Sequence, residues 1–356
     1  MPPDQPLDAW VAQADLAPQI GTVIPAFFSA TPSDDTVRRL LWMTLGDVRH
    51  YHPLSQLCVV VDGDARTARL AEELRAHLLQ QHGETFLLLP LPENRGKLWV
   101  LSEGIRAVLE RCPQVEYLVI RDGDGDHAAD DVPHLVRAAA FMRQVQGAGR
   151  MIVIGARSSR HRPMGWLRGE LETLLDSITL DALNYALARR GRVADWSYCG
   201  GSAAPDLNSG FKVYGRQLAQ ELFVEAEPQL ACLSPNDYWH YGPETVPVVE
   251  AVLRGGLIAQ TARLTWDGQP TTSFGEFRHV SLYGELLAWV YARLAIPLDV
   301  AAQMYDNRAP TMALRTAAQG DELLRAVRQH ALGRLRGHLG QDDDALPAPR
   351  PPMPFV

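Results

Sequence analysis

Short apolar runs recur through the first 155 residues, at 22–24, 57–61, 86–89, 117–120 and 151–154. Each is too short for a helix, and several are rich in valine and isoleucine, so each predicts a strand buried on both faces. The stretches between them have helical spacing. Ser33 is placed as an N-cap, with Asp34 and Asp35 in the first turn and Val37, Leu40, Leu41, Leu45 and Val48 following. Leu70, Leu74 and Leu78 mark a second helix. Val100, Leu101, Ile105, Val108 and Leu109 mark a third, and Val132, Leu135 and Val136 begin a fourth. Strand and helix therefore alternate, which predicts an α/β fold with a mainly parallel sheet covered by helices on both faces. In such sheets ligands bind at the carboxyl ends of the strands.

Beyond residue 155 the alternation loosens. Residues 167–190 read as one long amphipathic helix, and 211–214 and 257–264 as two further strands. Residues 283–339 read as helical. The last segment, 341–356, holds five prolines and three consecutive aspartates and reads as disordered. The first 19 residues read as an arm outside the sheet.

Composition narrows the picture. The 356 residues are 46% hydrophobic and 21% charged, as in ordinary globular proteins. No apolar stretch is long enough for a transmembrane helix, and residues 1–8 lack the basic start and apolar core of a secretory signal. A formal charge of −8 argues against a nucleic-acid partner. Cysteines 58, 112, 199 and 232 have neither zinc-site nor disulfide-framework spacing, which suits a reducing cytoplasm.

The strand ends carry the candidate chemistry. The first run ends in Pro25-Ala26-Phe27 and the second in Asp62-Gly63-Asp64. The third leads into Glu93-Asn94-Arg95-Gly96-Lys97, and the fourth ends in Asp122-Gly123-Asp124-Gly125-Asp126-His127. The fifth ends in Gly155-Ala156-Arg157. Carboxylates and cations gathered on one sheet edge suit a nucleoside diphosphate. A divalent cation on hard oxygen ligands neutralises part of its charge, and Arg95, Lys97 and Arg157 are placed to hold phosphate directly. Other readings of these motifs fail on single residues. An EF-hand needs glycine where His127 stands and glutamate where Pro133 stands. A P-loop needs glycine at Leu91 and Ser or Thr at Leu98. No G-x-G-x-x-G follows the first strand, and G-x-S-x-G and H-E-x-x-H are absent.

Taken as a series, these motifs resemble those of inverting family-two glycosyltransferases of the GT-A fold. The run from Cys58 to Asp64 resembles the family's second strand, 93–97 its E-N-x-G-K segment, and 117–127 its D-x-D strand in the form found in polyprenyl-phosphate sugar synthases such as dolichol-phosphate mannose synthase. Gly155-Ala-Arg157 resembles its G-x-R, and Asp206 to Tyr214 its D-x-x-S-G-F/R-x-Y stretch. The resemblance covers about residues 20–265.

What the resemblance implies is a glycosyltransferase that moves a sugar from a UDP- or GDP-sugar with Mg²⁺ or Mn²⁺. It places Pro25, Phe27, Asp62, Arg95, Lys97, Asp122, Gly123 and Arg157 at the donor, and Asp122, Asp124 and Asp126 at the metal. Asp206, Asn208, Ser209 and Gly210 fall on the acceptor side. Glu244 is the first choice of general base and Asp237 the second. A retaining glycosylglycerate-type layout would add His279 or Asp267 as a late metal ligand. No strongly basic amphipathic helix is found in 283–339, so a soluble small-molecule or glycan acceptor is expected rather than a lipid phosphate. A homodimer is left open. The corresponding organisation is an arm (1–19) and a catalytic domain (20–275), the latter split into a nucleotide-sugar half (20–160) and an acceptor half (161–275). A helical extension (276–340) and the tail (341–356) complete it. A nucleotidyltransferase is disfavoured because Pro25-Ala26-Phe27-Phe28 is not its glycine-rich basic loop. A catalytically silent GT-A module that binds a nucleotide sugar or a partner is the remaining alternative.

Overall fold

The computed structural model of the chain describes residues 13–147, 149–161, 165–200, 204–263, 278–341 and 345–354. Its strands are β1 (Ile20–Ala26), β2 (Leu57–Val61), β3 (Leu87–Pro90), β4 (Tyr117–Ile120), β5 (Met151–Ala156), β6 (Lys212–Gly215) and β7 (Leu257–Ala262). They form one sheet in the order β3-β2-β1-β4-β6-β5-β7. All pairs are parallel except those of β6, which runs antiparallel to β4 and β5. The helices are α1 (Gln13–Leu16), α2 (Asp34–Leu45), α3 (Ala65–His82), α4 (Lys97–Arg111), α5 (Val132–Gln146), α6 (Trp166–Ala188), α7 (Arg216–Ala219), α8 (Pro235–Tyr241), α9 (Thr245–Leu253), α10 (His279–Arg293), α11 (Leu298–Arg308) and α12 (Gly320–His338).

Strand periodicity sorts the side chains into two layers. Ile24, Ala26, Val59 and Val61 pack with α2 and α3, and Val119, Val153 and Val213 pack with α5. The alternate residues Val23, Val60, Ile120, Ile152 and Ile154 join α4, α6 and the C-terminal helices in the larger core on the other face. With both faces covered, the strands read as continuous apolar runs. Ser33 caps α2 by accepting the Thr36 N–H (3.3 Å), as its position predicts.

Three expectations change. The helix foreseen at 167–190 exists, but it is not amphipathic: Glu170, Glu172, Asp176, Ser177 and Thr179 are buried along with its leucines. α10, α11 and the turn at Leu314 cover the face that sequence pattern assigns to solvent, and the Leu314 N–H donates to Glu170 (3.0 Å). The described part of the tail lies against α11 rather than being disordered. The Arg350 N–H donates to Asp306 (3.0 Å), Asn307 exchanges bonds with Met353, and Leu346 packs on the core. Finally, the described part of the arm is attached to the sheet, because Leu16 is buried beside Ile20 under α5.

The register aligns the strand ends on one rim. Ala26 pairs with Val61, Val61 with Pro90, and Ile154 with Lys212. Because β6 is reversed, the loop that enters it, 206–211, opens on the same rim as the loops that leave the parallel strands.

Candidate active site

A cavity of about 880 Å³ opens along this rim. Its lining comes from the end of β1 (Pro25 to Phe28), from Asp62 after β2, from Asn94, Gly96 and Lys97, and from Asp122, Gly123, Asp124, Asp126 and His127 after β4. Arg157, Asn208, Gly210, Glu244 and Arg263 complete the polar wall, and Leu282, Tyr283 and Leu286 of α10 close the far side.

The acidic loop after β4 is held from below. Arg121 is fully buried; it donates to the carbonyls of His127 (Nε, 2.9 Å) and Thr44 (Nη1, 3.0 Å), tying both ends of the loop to α2. Burial lowers its pKa to about 10, against the pull of Asp126, Asp130 and Asp131, so it stays a cation. The Asp122 N–H donates to Nδ1 of His127 (2.9 Å), and Nε2 faces the Arg263 guanidinium (2.9 Å). Burial, reinforced by Arg263 and Lys97, holds that imidazole well below its usual pKa and neutral.

So braced, the loop aims three carboxylates into one place. Burial and then Asp126 and Asp122 push the Asp124 pKa well up, and burial and Asp122 push up that of Asp126. Oδ1 of Asp126 is buried and has no hydrogen-bond donor. Ligand atoms of Asp122, Asp126 and His127 lie within 4.8 Å of one another. An orphaned oxygen amid mutually repelling carboxylates is a donor set that fits a divalent cation.

Lys97 stands across from this loop. Gly96, at φ +99°, turns the chain into α4, and a Cβ there would meet the Trp239 backbone at 2.6 Å. Both oxygens of Asp62 hold this turn, accepting the N–H groups of Arg95 (2.8 Å) and Gly96 (3.0 Å). The Lys97 ammonium then spans Asp122 (2.7 Å) and Glu244 (2.8 Å). Burial opposes its charge, but the two carboxylates outweigh burial and raise its pKa. Gly210 covers the Lys97–Asp122 pair so closely that a Cβ would sit 2.9 Å from Asp122 and 3.2 Å from Lys97.

Several residues foreseen at the site do other work. Arg157, expected on donor phosphates, lines the cavity but is held by Asp206 through its N–H (3.0 Å) and Nε (2.8 Å) and by Glu172 (2.7 Å). Asp206, expected at the acceptor, is therefore committed to Arg157. Burial would raise its pKa, but Arg157 and Arg160 hold it down at about 2. Arg95 lies outside the cavity lining, exposed and stacked over Trp99 at 3.6 Å. Asp237 is also outside the lining, and it forms the cap of α8: Ser234 donates to its carboxylate (2.7 Å) and accepts its N–H (3.1 Å). Ser209 is buried and donates to the Gly155 carbonyl (2.7 Å). Asn208 lines the cavity and donates to Asp176 (2.6 Å). His279, at the start of α10, is not among the lining residues, and Asp267 lies outside the described residues. Pro25, Phe27, Lys97, Asp122, Gly123, Asp124, Asp126, Gly210 and Glu244 do meet in the cavity.

Arg263 is the cation that sequence reasoning missed. It follows β7 directly, donates to Gly155 O (3.0 Å) and Ser209 Oγ (2.9 Å), and lines the cavity. The strand-end rule that singled out the other loops points to it as well.

The chain from residue 22 to residue 193, which carries the β1, β2 and β4 strand ends, matches the family model "Glycosyl transferase family 2". That match covers just under half of the chain. The chain has an α/β layering, a mostly parallel sheet between helices with further helices at its C-terminal end. Among solved structures it is similar to "Mannosyltransferase PcManGT from Pyrobaculum calidifontis in complex with GDP-Man and Mn2+". That match has 14% identity and a TM-score of 0.40, over 90% of this chain and 74% of the other. No curated protein matches the chain. Among its described residues, no helix is long and apolar enough to cross a membrane.

Proposed function

We propose that this chain is a glycosyltransferase that moves a sugar from a UDP- or GDP-sugar to a small-molecule or glycan hydroxyl in the cytoplasm, with Mg²⁺ or Mn²⁺ bound. The observation that carries this reading is the group Asp122, Asp124 and Asp126 on the cavity wall, with the orphaned buried oxygen of Asp126 and the raised pKa values of Asp124 and Asp126. These residues would hold the cation, which when bound supplies positive charge to the departing diphosphate. The exposed ring of Phe27 and the backbone of Pro25 border the donor end of the cavity. Arg263 adds a cation on the cavity wall whose hydrogen bonds among the described residues go to Gly155, His127 and Ser209 rather than to a carboxylate.

On the acceptor side Glu244 takes the proton. Its carboxylate lines the same cavity as Leu282 and Leu286 of α10, and the Lys97 ammonium fixes one of its oxygens while the other remains for an incoming hydroxyl. α10 supplies an apolar wall, Leu282 and Leu286, that keeps water from competing with the acceptor. The sheet carries β5 of the proposed nucleotide half between β6 and β7 of the acceptor half, so the two halves act as one catalytic domain.

Calorimetric titration of UDP-glucose, GDP-mannose and related nucleotide sugars tests the reading, each with Mn²⁺, with Mg²⁺ and with EDTA. Binding of one donor that disappears in EDTA supports it. No donor binding under any metal condition rejects it.

A further inference from the structure

The ammonium of Lys97 touches two carboxylates with different proposed tasks: Asp122 at the cation site and Glu244 at the acceptor. We infer that Lys97 is a positioning residue that couples the two, standing in for the divalent cation at Asp122 and releasing that carboxylate to it while keeping hold of Glu244. This rests on the metal-site reading above.

The geometry is specific to the pair. Lys97 is the first residue of α4, and the Gly96 turn behind it is locked by Asp62, so the side chain enters the cavity from a fixed root. Gly210 and the His127 ring lie beside the ammonium: a Cβ on Gly210 would sit 3.2 Å from Nζ and 3.3 Å from the His127 ring. An ammonium 2.7 Å from Asp122 Oδ1 and a divalent cation on the same carboxylate repel each other, so either weakens the hold of the other. Linkage makes the effect mutual: whatever factor Lys97 costs the cation, the cation costs the Lys97–Asp122 contact. With Asp122 taken, the ammonium is left to Glu244 alone. The acceptor base is thereby fixed most firmly when the donor's cation is in place, and a hydroxyl is not deprotonated before there is a donor to attack.

The test is the affinity of the donor-free protein for Mn²⁺, read by calorimetry or by the free-ion electron paramagnetic resonance signal, in wild type, Lys97→Met and Lys97→Arg. Removing the competing charge in K97M is expected to tighten Mn²⁺ binding by about tenfold, within the usual 5–150-fold range of coupling between sites. K97R, which keeps the charge, is expected to stay within about threefold of wild type, below that range. K97M is also expected to lower kcat, so metal affinity and turnover move in opposite directions. Unchanged or weaker Mn²⁺ binding by K97M overturns the coupling, and so does tighter binding by K97R. Should K97M fail to fold, judged by its circular dichroism melt, Lys97→Gln removes the same charge: tighter Mn²⁺ binding by K97Q supports the coupling, and unchanged or weaker binding rejects it. Absence of Mn²⁺ binding in wild type rejects the metal-site reading itself, a result distinct from failure of the coupling.

Discussion

Asp124 shows how a single side chain trades stability for chemistry. Its charge is opposed by burial and by two neighbouring carboxylates. Replacing it with asparagine removes that repulsion, so D124N is expected to melt a few degrees above wild type in EDTA. Added Mn²⁺ is expected to raise the melting temperature of wild type but not of D124N. A variant that melts lower in EDTA and still responds to Mn²⁺ would contradict this account. Glu244 behaves differently, since its proposed work is on the acceptor proton. E244Q is expected to lower kcat by about 100-fold or more, with donor affinity within an order of magnitude of wild type, measured by steady-state kinetics beside calorimetry. At this scale the sequence is informative about residue types and less so about their partners. Asp122, Asp124 and Lys97 stand in motifs whose spacing suits the chemistry. That Arg157 is held by Asp206 and Glu172 depends on residues 49 and 15 positions away, and no local pattern announces it.

Individual elements owe their shape to contacts of different reach. β2 and β4 were legible to the residue, because a strand buried on both faces needs an unbroken apolar run. α6 was legible in extent but not in environment. Its polar positions meet Arg157, Arg160 and Leu314 rather than water, and those partners come from other parts of the chain. The turn before α4 is local and strict. G96A adds a Cβ at φ +99° against the Trp239 backbone, so urea denaturation is expected to show a loss of about 1–3 kcal/mol. The start of β1 is bound to a titrating group: Thr22 hydrogen-bonds His52 (2.8 Å), whose burial lowers its pKa to about 4. The unfolded chain, with His52 near 6.5, binds the proton more readily, so stability is full above pH 6.5 and declines as pH falls toward 4. The decline is expected to reach about 3 kcal/mol from this residue alone. A stability curve flat between pH 6.5 and 4 would show that His52 is accessible to protons in the fold.

For the whole molecule, the C-terminal helices are part of the core. Trp289 of α10 is fully buried and its indole N–H donates to Gln229 O (2.7 Å), while α12 packs along α10. The tail adds a last layer through Asp306, Asn307 and Gln303. A chain ending at Gly340 loses those bonds and the Leu346 contact, and is expected to melt several degrees lower with kcat little changed. Calorimetric scans of the two lengths check this. Proline content alone suggests disorder for this segment; the buried carboxylate and amides that hold it extended sit on another element.

The strand order has a consequence for how the protein is made. β5 has β6 and β7 as its hydrogen-bonded neighbours, and both are encoded after it. On the ribosome, β1 to β4 can zip together as they emerge, while β5 waits without a neighbour until some 60 to 100 further residues have been translated. The span that carries the family signature, 22–193, stops within that interval. A gene fragment cut to that span would therefore be expected to express as an incomplete sheet with a sticky, unpaired strand, and the smallest unit worth cloning is one that reaches past β7.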